Sequence, residues 1–497
     1  VLEGILSGLL NVFEPVHLLA LIAGTVLGFL GGATPGISGT MLVVVFLPIT
    51  YGMESGAAFL ILVAIYASAV FSGSISAILF RTPGAPEAVA TTLDGYPMAQ
   101  QGKAGEALGI SIFSSATGGL IGASILMLSA PLLAKVALEF GAPEYFALAM
   151  MGISVVTSLS GDNLVKGLIA ALFGLFLATI GLDPFTGQER LTLGYTELMM
   201  GIDFIPVLIG LFAVSEVFRK FQEAGTVEEI KVKVTSKLPS FNMMKRLAGT
   251  IGRSSLLGTF IGILPGIGAT TASILSYSEA VRMSKEPKKF GTGVPEGIAA
   301  PESANNAAAN GAMVPLMALG IPGSATTAVI LGAFILHGIQ PGPLMFTQQS
   351  ELVYTIFIGL ILVNILIILL AKPFIGIFTQ VMRVPYSMMG TIIATLCVVG
   401  TYAVRNSMID VWIMILFGFL GYLLDKVKIP VAPIILGLVL GPLAEEQFRR
   451  TLVISGGDYS IFFTRPISAV LLILAVISLL LPMINALRAG LKSKKAA

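Results

Sequence analysis

The sequence is short of charge. Asp, Glu, Lys and Arg make up 11% of its 497 residues, against about 25% in a soluble domain. So few charges cannot cover a water-soluble protein of this size, which excludes a large soluble enzyme. The net charge of +2 argues against a nucleic-acid partner, whose binding would need many phosphate contacts. The single cysteine, Cys397, excludes a disulfide framework within the chain and a cysteine-rich metal site. The only two histidines, His17 and His337, lie near no serine nucleophile motif. No Asp-rich metal motif and no nucleotide phosphate-binding loop occur. A catalytic role is therefore not expected.

What is abundant is apolar. Hydrophobic residues reach 55% and the mean hydropathy is +0.93, which indicates an all-α polytopic membrane protein. The 56 Gly and 26 Pro argue against plain straight helices. Counting apolar stretches against the roughly 20 residues a spanning helix needs gives about 10–12 spans plus re-entrant or discontinuous pieces. The expected organisation is a first transmembrane repeat over 14–218, a basic linker over 219–253, a second repeat over 254–443, and a C-terminal helix and tail over 444–497. No Lys or Arg precedes Arg81, whereas the linker and the tail are basic. The positive-inside rule then puts linker and C-terminus in the cytoplasm and the N-terminus outside. The first apolar run lacks a basic flank, so no secretory leader is expected.

Two segments of the first half recur in the second in the same order. Gly28-Phe-Leu-Gly-Gly-Ala-Thr-Pro35-Gly36-Ile37-Ser38-Gly39-Thr40 matches Gly258-Thr-Phe-Ile-Gly-Ile-Leu-Pro265-Gly266-Ile267-Gly268-Ala269-Thr270. Each has glycines four apart, a smooth helix stripe for close packing, and each ends in a Pro-Gly helix break. Downstream, Thr82-Pro83-Gly84-Ala85-Pro86 is matched by Ile321-Pro322-Gly323-Ser324-Ala325-Thr326-Thr327. A weaker third pair is Leu172-Phe173-Gly174 with Leu416-Phe417-Gly418. Because one half enters from a side without basic residues and the other from a basic linker, the repeats are expected to be inverted. Inverted repeats with paired broken helices suit secondary transporters, whose substrate binds near the midplane.

The most informative stretch is Phe290 to Gly311, which holds the carboxylates Glu296 and Glu302, Ser303, and the amides Asn305, Asn306 and Asn310 beside small residues. In lipid these groups would be unsatisfied, so they must face protein, water or a ligand. Ser68 and Ser72 are expected at the places of Asn306 and Asn310 in the first half. Half-helix N-termini at the breaks offer N–H groups and a positive dipole end to a carboxylate. Hydroxyls of Ser38, Thr40, Thr270, Thr271, Ser324, Thr326 and Thr327, with freed carbonyls, suit a cation. Interhelical hydrogen bonding and helix capping are the plainer uses of the same groups. His17 reads as interfacial, His337 as structural, Asp162-Asn163 as an interhelical turn and Trp412 as packing.

These motifs together resemble the large membrane subunit, TctA type, of the bacterial tripartite tricarboxylate transporters. The resemblance is carried by Gly73-Ser74-Ile75, Thr82-Pro83-Gly84-Ala85-Pro86, Asp94-Gly95-Tyr96-Pro97-Met98-Ala99, Pro265-Gly266-Ile267-Gly268, Phe290-Gly291-Thr292-Gly293, Ala300-Pro301-Glu302 with Asn305-Asn306-Ala307, Leu319-Gly320-Ile321-Pro322-Gly323-Ser324 and His337-Gly338-Ile339-Gln340-Pro341-Gly342-Pro343. It spans about 20 to 345; beyond, the likeness is mainly hydropathy. Ser68, Phe71 and Ser72 depart from the Gly, Tyr and Gly of the family pattern.

The resemblance implies cation-driven import of tricarboxylates, dicarboxylates or related organic anions across the bacterial inner membrane. It also implies a small transmembrane subunit and a periplasmic solute-binding protein as partners, beside membrane lipid. The coupling ion, Na⁺ or H⁺, and a homodimer are left open, and no cofactor is expected. Substrate binding is assigned to Pro35, Gly36, Ser38, Thr40, Pro83, Gly84, Pro265, Gly266, Gly268, Thr270, Asn305, Asn306, Asn310, Pro322, Gly323 and Ser324, and cation coupling to Glu302, Ser303, Thr326 and Thr327. An anion channel is the alternative.

Overall fold

A computed structural model describes residues 2–34, 36–159, 164–223, 239–264, 267–381 and 386–480. Pro35, Pro265, Gly266, the Asp162-Asn163 turn, the basic tail and residues 224–238 of the linker lie outside the described residues. The described chain is helical apart from one antiparallel pair, Gly181–Leu182 with Glu189–Arg190. Among the described residues six helices are long and apolar enough to cross a membrane: Pro15–Gly32, Ser55–Phe80, Thr92–Ala137, Ser350–Ala371, Met388–Arg405 and Met408–Lys426. Gly39–Thr50, Leu164–Ala178, Ala325–Leu336 and Pro466–Leu480 are apolar but shorter. The protein is an all-α, multi-pass membrane protein.

The helices gather into two compact units, each drawn from both halves of the sequence. Unit 1 contains Val1–Lys135 and Arg219–Gly400; unit 2 contains Val136–Phe218 and Thr401–Ala497.

Seven helices of unit 1 position the site: α1 (Pro15–Gly32), α2 (Gly39–Phe46), α3 (Ser55–Phe80), α4 (Phe241–Ile263), α5 (Gly268–Met283), α6 (Glu296–Gly311) and α7 (Ala325–Leu336). The α3 sequence has no polar face wide enough to meet solvent, and almost the whole helix is buried, as an all-round apolar helix must be. Glu54 starts it, accepting from the N–H groups of Gly56 and Ala57 at 2.8 and 3.0 Å.

The glycine stripes are helix contacts. A Cβ on Gly28 would stand 2.6 Å from the Ile65 carbonyl oxygen of α3, and one on Gly24 2.5 Å from that of Ile61. On α4, Gly258 and Gly262 meet the carbonyls of Ala304 and Ala308 of α6 more closely still. These contacts set the register of the two halves: Ile65 is the counterpart of Ala304, and Ala69 of Ala308. The second breaks agree, since Gly84 lies on Gly73 and Gly323 on Ala312. Ser68 therefore corresponds to Ala307 and Ser72 to Gly311, not to Asn306 and Asn310 as the sequence led us to expect. Matching polar type with polar type had shifted the register by one residue. Ser72 instead donates to the Gly28 carbonyl at 2.9 Å.

Unit 2 uses the same packing device. Gly174, in Leu164–Ala178, meets the Ile434 carbonyl of Ala432–Ile454, and Gly437 returns the contact to the Ala171 carbonyl at 2.5 Å from a built Cβ. Trp412, expected as packing, is 64% exposed on an apolar helix. In the loop that carries the strand pair, Asp183 accepts from the N–H groups of Thr186 and Phe185 at 2.9 and 2.8 Å and pairs with Arg449 at 2.9 Å. Those N–H groups and then Arg449 hold its carboxyl down to about 2.

Two outcomes test this packing. Gly249 and Gly252 of α4 have open space where Gly258 has a carbonyl. Gly249→Ala should stabilise the protein by up to ~1 kcal/mol through helix propensity, whereas Gly258→Val should destabilise it by ~1–3 kcal/mol or more through overpacking; thermal unfolding in detergent reads the opposite signs. Because the folded Asp183 carboxyl titrates below its ordinary value, its stabilisation is full above that value and is lost as pH falls through about 2. Amide exchange in Gly181–Arg190 should therefore stay slow to about pH 4 and accelerate below it, and Asp183→Asn should remove that dependence.

Candidate functional site

The breaks of unit 1 form where the sequence stops a helix. Gly36 has φ +85° and Gly268 φ +73°, conformations that favour glycine. Ser38 caps α2 by accepting from the Met41 N–H at 3.2 Å. Ser324 and Thr327 form a capping box on α7: the Thr327 N–H donates to Ser324 Oγ at 3.2 Å and the Ser324 N–H to Thr327 Oγ1 at 2.7 Å. Three expected ligand hydroxyls, those of Ser38, Ser324 and Thr327, thus act first as caps, and the remaining first-turn N–H groups carry the dipole's positive end.

The second breaks are each completed by the other half. In the register set by the glycines, Tyr66 of α3 is the counterpart of Asn305 of α6, and Glu87 of Thr326. Asn305 Nδ2 donates to the Glu87 carbonyl at 3.4 Å. Tyr66 Oη lies 3.5 Å from Ser324 Oγ. Thr40 Oγ1 is 2.7 Å from Thr326 Oγ1, which joins the first break of one half to the second break of the other. The Glu87 carboxylate is close enough to Tyr66 to act on it electrostatically, and its Oε2 is enclosed without a partner.

Deeper on α6, Glu302 is fully buried. Thr91 Oγ1 donates to its Oε1, Ser115 Oγ to its Oε2 at 2.9 Å, and Asn305 Nδ2 approaches Oε1 at 3.5 Å. The other expected amides are turned inward. Asn306 Nδ2 donates to Asn305 Oδ1 at 2.8 Å and the Glu302 carbonyl at 3.2 Å; Asn310 Nδ2 donates to the carbonyls of Asn306 and Gly119 at 3.0 and 3.3 Å. Asn310 Oδ1 is buried and unpaired. Ser303 donates to the Ala299 carbonyl at 2.7 Å, within its own helix. Thr40 and Thr326 are thus brought together, with Tyr66 at Ser324, while Asn305 stands at the Glu87 carbonyl, and Gly84 and Gly323 shape the backbone of the two second breaks. Pro83 and Pro322 hold the turns; Gly36, Gly268 and Thr270 sit at the first breaks.

Among the described residues no group of three or more His, Cys, Asp or Glu side chains could hold a metal ion. The arrangement offers hydroxyls, amides, carbonyls and two carboxylates, which can bind a carboxylate through donors or a hard monovalent cation through oxygens.

The sequence profile of the Tripartite tricarboxylate transporter TctA family matches residues 18–436. The chain belongs to this family. Two relatives come from Agrobacterium vitis. An uncharacterized 52.8 kDa protein in the TAR-I ttuC' 3' region is 40% identical over 484 residues, covering 97% of this chain and 96% of the relative. An uncharacterized protein in the TAR-II ttuC' 3' region is 43% identical over 231 residues, covering 46% of this chain and 96% of the relative. No solved structure matches. As a TctA family member the protein has a transport role within a tripartite system and therefore partner subunits.

Sequence reasoning missed Tyr66, Glu87, Thr91, Ser111 and Ser115. Tyr66 could have been found as a phenol in an otherwise apolar span, where a buried hydroxyl needs a partner. Asp94, noted only as a family motif, is fully buried; its Oδ1 accepts from the N–H groups of Gly291, Gly293 and Val294 at 2.9, 2.8 and 2.8 Å, and its Oδ2 from Tyr277 at 2.9 Å. Gly291 and Gly293 have φ +87° and +101°, so the loop before α6 wraps this carboxylate. Asp94→Ala should leave three N–H groups unpaired and weaken the loop by ~1–3 kcal/mol per group, read as faster amide exchange at Gly291–Val294.

Proposed function

We propose that this TctA family subunit is a secondary carrier that imports organic anions, tricarboxylates, dicarboxylates or their relatives, across the bacterial inner membrane. A cation gradient, of Na⁺ or H⁺, drives it. A periplasmic solute-binding protein delivers the substrate and a small transmembrane subunit completes the complex. The observation that supports this reading best is the exchange at the second breaks, where Tyr66 of the first half reaches Ser324 of the second and Asn305 of the second reaches the Glu87 carbonyl of the first. A carboxylate placed there meets hydroxyl and amide donors and helix N-termini. A group of neutral donors binds an anion reversibly, which a carrier requires. Small shifts of one half against the other would open and close such a shared site, in an elevator-like motion of the repeats.

Counterflow of a labelled carboxylate in proteoliposomes tests this. Wild-type protein should exchange substrate and accumulate it only with an imposed cation gradient; gradient-independent passive flux would indicate a channel. Asn305→Ala and Tyr66→Phe should each lower counterflow by about tenfold or more, the cost of a lost hydrogen bond in a dry site. Normal exchange by both variants, at normal membrane yield, would sink the site assignment.

A further inference from the structure

Glu302 presents an electrostatic problem. The side chain is fully buried on α6, and its hydrogen-bond donors among the described residues are all neutral: Thr91, Ser115 and Asn305, with the Ser111 hydroxyl beside them. No Lys, Arg or His pairs with it among the described residues. A carboxylate removed from water without an opposite charge is among the most costly groups a protein can hold, and three hydrogen bonds do not supply the missing charge. A hydroxyl can, however, turn its lone pair toward a cation as readily as its proton toward a carboxylate.

We propose that Glu302, Thr91, Ser111 and Ser115 form a binding site for one Na⁺ ion. Two carboxylate oxygens and three hydroxyl oxygens give five hard ligands, and a single negative charge is balanced by a single positive one. A divalent ion would remain half-compensated. Ser111 is itself held by Ser74, Oγ to Oγ at 2.6 Å, and Ser74 bonds the Phe71 carbonyl at 2.7 Å. The cage is thus braced from α3, and Ser115 Oγ stands 2.9 Å from the carboxylate. Asn305 connects this site to the transport path. Its Nδ2 lies between Glu302 Oε1 and the Glu87 carbonyl at 3.5 and 3.4 Å, so a cation that occupies the carboxylate releases the amide toward the break. The Na⁺ site therefore deepens the carrier reading above: it names the coupling ion and the residue through which its binding is felt by the substrate.

The test separates the ion from the carboxylate. The full chain, purified in detergent with no organic anion present, is titrated with NaCl at constant ionic strength against choline and potassium chlorides. Thermal stability and amide exchange in residues 108–118 and 300–308 are followed. Na⁺ alone should raise the melting temperature and slow exchange in both segments. Ser115→Ala and Thr91→Val, which keep the carboxylate, should raise the half-saturating Na⁺ concentration about tenfold or more, and Glu302→Gln should abolish the response. Equal effects of Na⁺, K⁺ and choline in the wild type, or an unchanged Na⁺ response in Ser115→Ala and Thr91→Val, would overturn the proposal. Because no substrate is present, a clean Na⁺ response with failed carboxylate counterflow would leave the site standing and remove the carrier reading instead.

Discussion

In lipid, apolar side chains gain little by leaving the solvent, so helices are held together by close packing and by the polar groups they share. In unit 1 that packing is backbone on backbone. Gly24 and Gly28 of α1 lie against carbonyls of α3, and Gly258 and Gly262 of α4 against carbonyls of α6. Side chains at those glycines would push each pair apart. The height at which Tyr66 and Asn305 stand opposite the breaks is set by these contacts, because both residues follow directly on a carbonyl that a glycine touches. The hydrogen bonds at 3.4 and 3.5 Å are short reaches made available by that register.

Much of this was legible in the sequence, for identifiable reasons. Helices in a membrane must satisfy their own backbone, so apolar length and Gly-Pro interruptions translate directly into helices and breaks. The glycine stripes, the capping serines and the polar run of α6 could be read because each is a local pattern. The pairing of residues across the two halves could not. It depends on which carbonyl a glycine meets, a quantity with no local signature. Comparing residue types equated Ser72 with Asn310, whereas packing equates it with Gly311. Tyr66 and Glu87 escaped notice because each looks ordinary among its sequence neighbours. Asn306 and Asn310 illustrate the converse: their position on a buried helix suggested ligands, and their donors go to carbonyls of their own helix and of Gly119.

Carboxylates are treated differently in the different parts of the protein. Asp183 of unit 2, in a loop, is paired with arginine and backbone N–H groups. Asp94 has three backbone N–H groups and a phenol, enough partial positive charge to tie a loop to the start of α6. Glu302 has hydroxyls and an amide. The first two have partners that stay, which suits structure. The third has partners that can reverse their direction of donation, which suits an occupant that comes and goes.

The exchange of Tyr66 and Asn305 across the two halves has a consequence for how such a sequence can drift. A substitution at either position alters the opposite half's break rather than its own. Neither half is then free to wander alone, since each edits the other's pocket. Two segments whose letters have largely parted company would remain yoked through their shape, and covariation between Tyr66 and Ser324–Thr326, or between Asn305 and Glu87, is the trace that such a bond leaves behind.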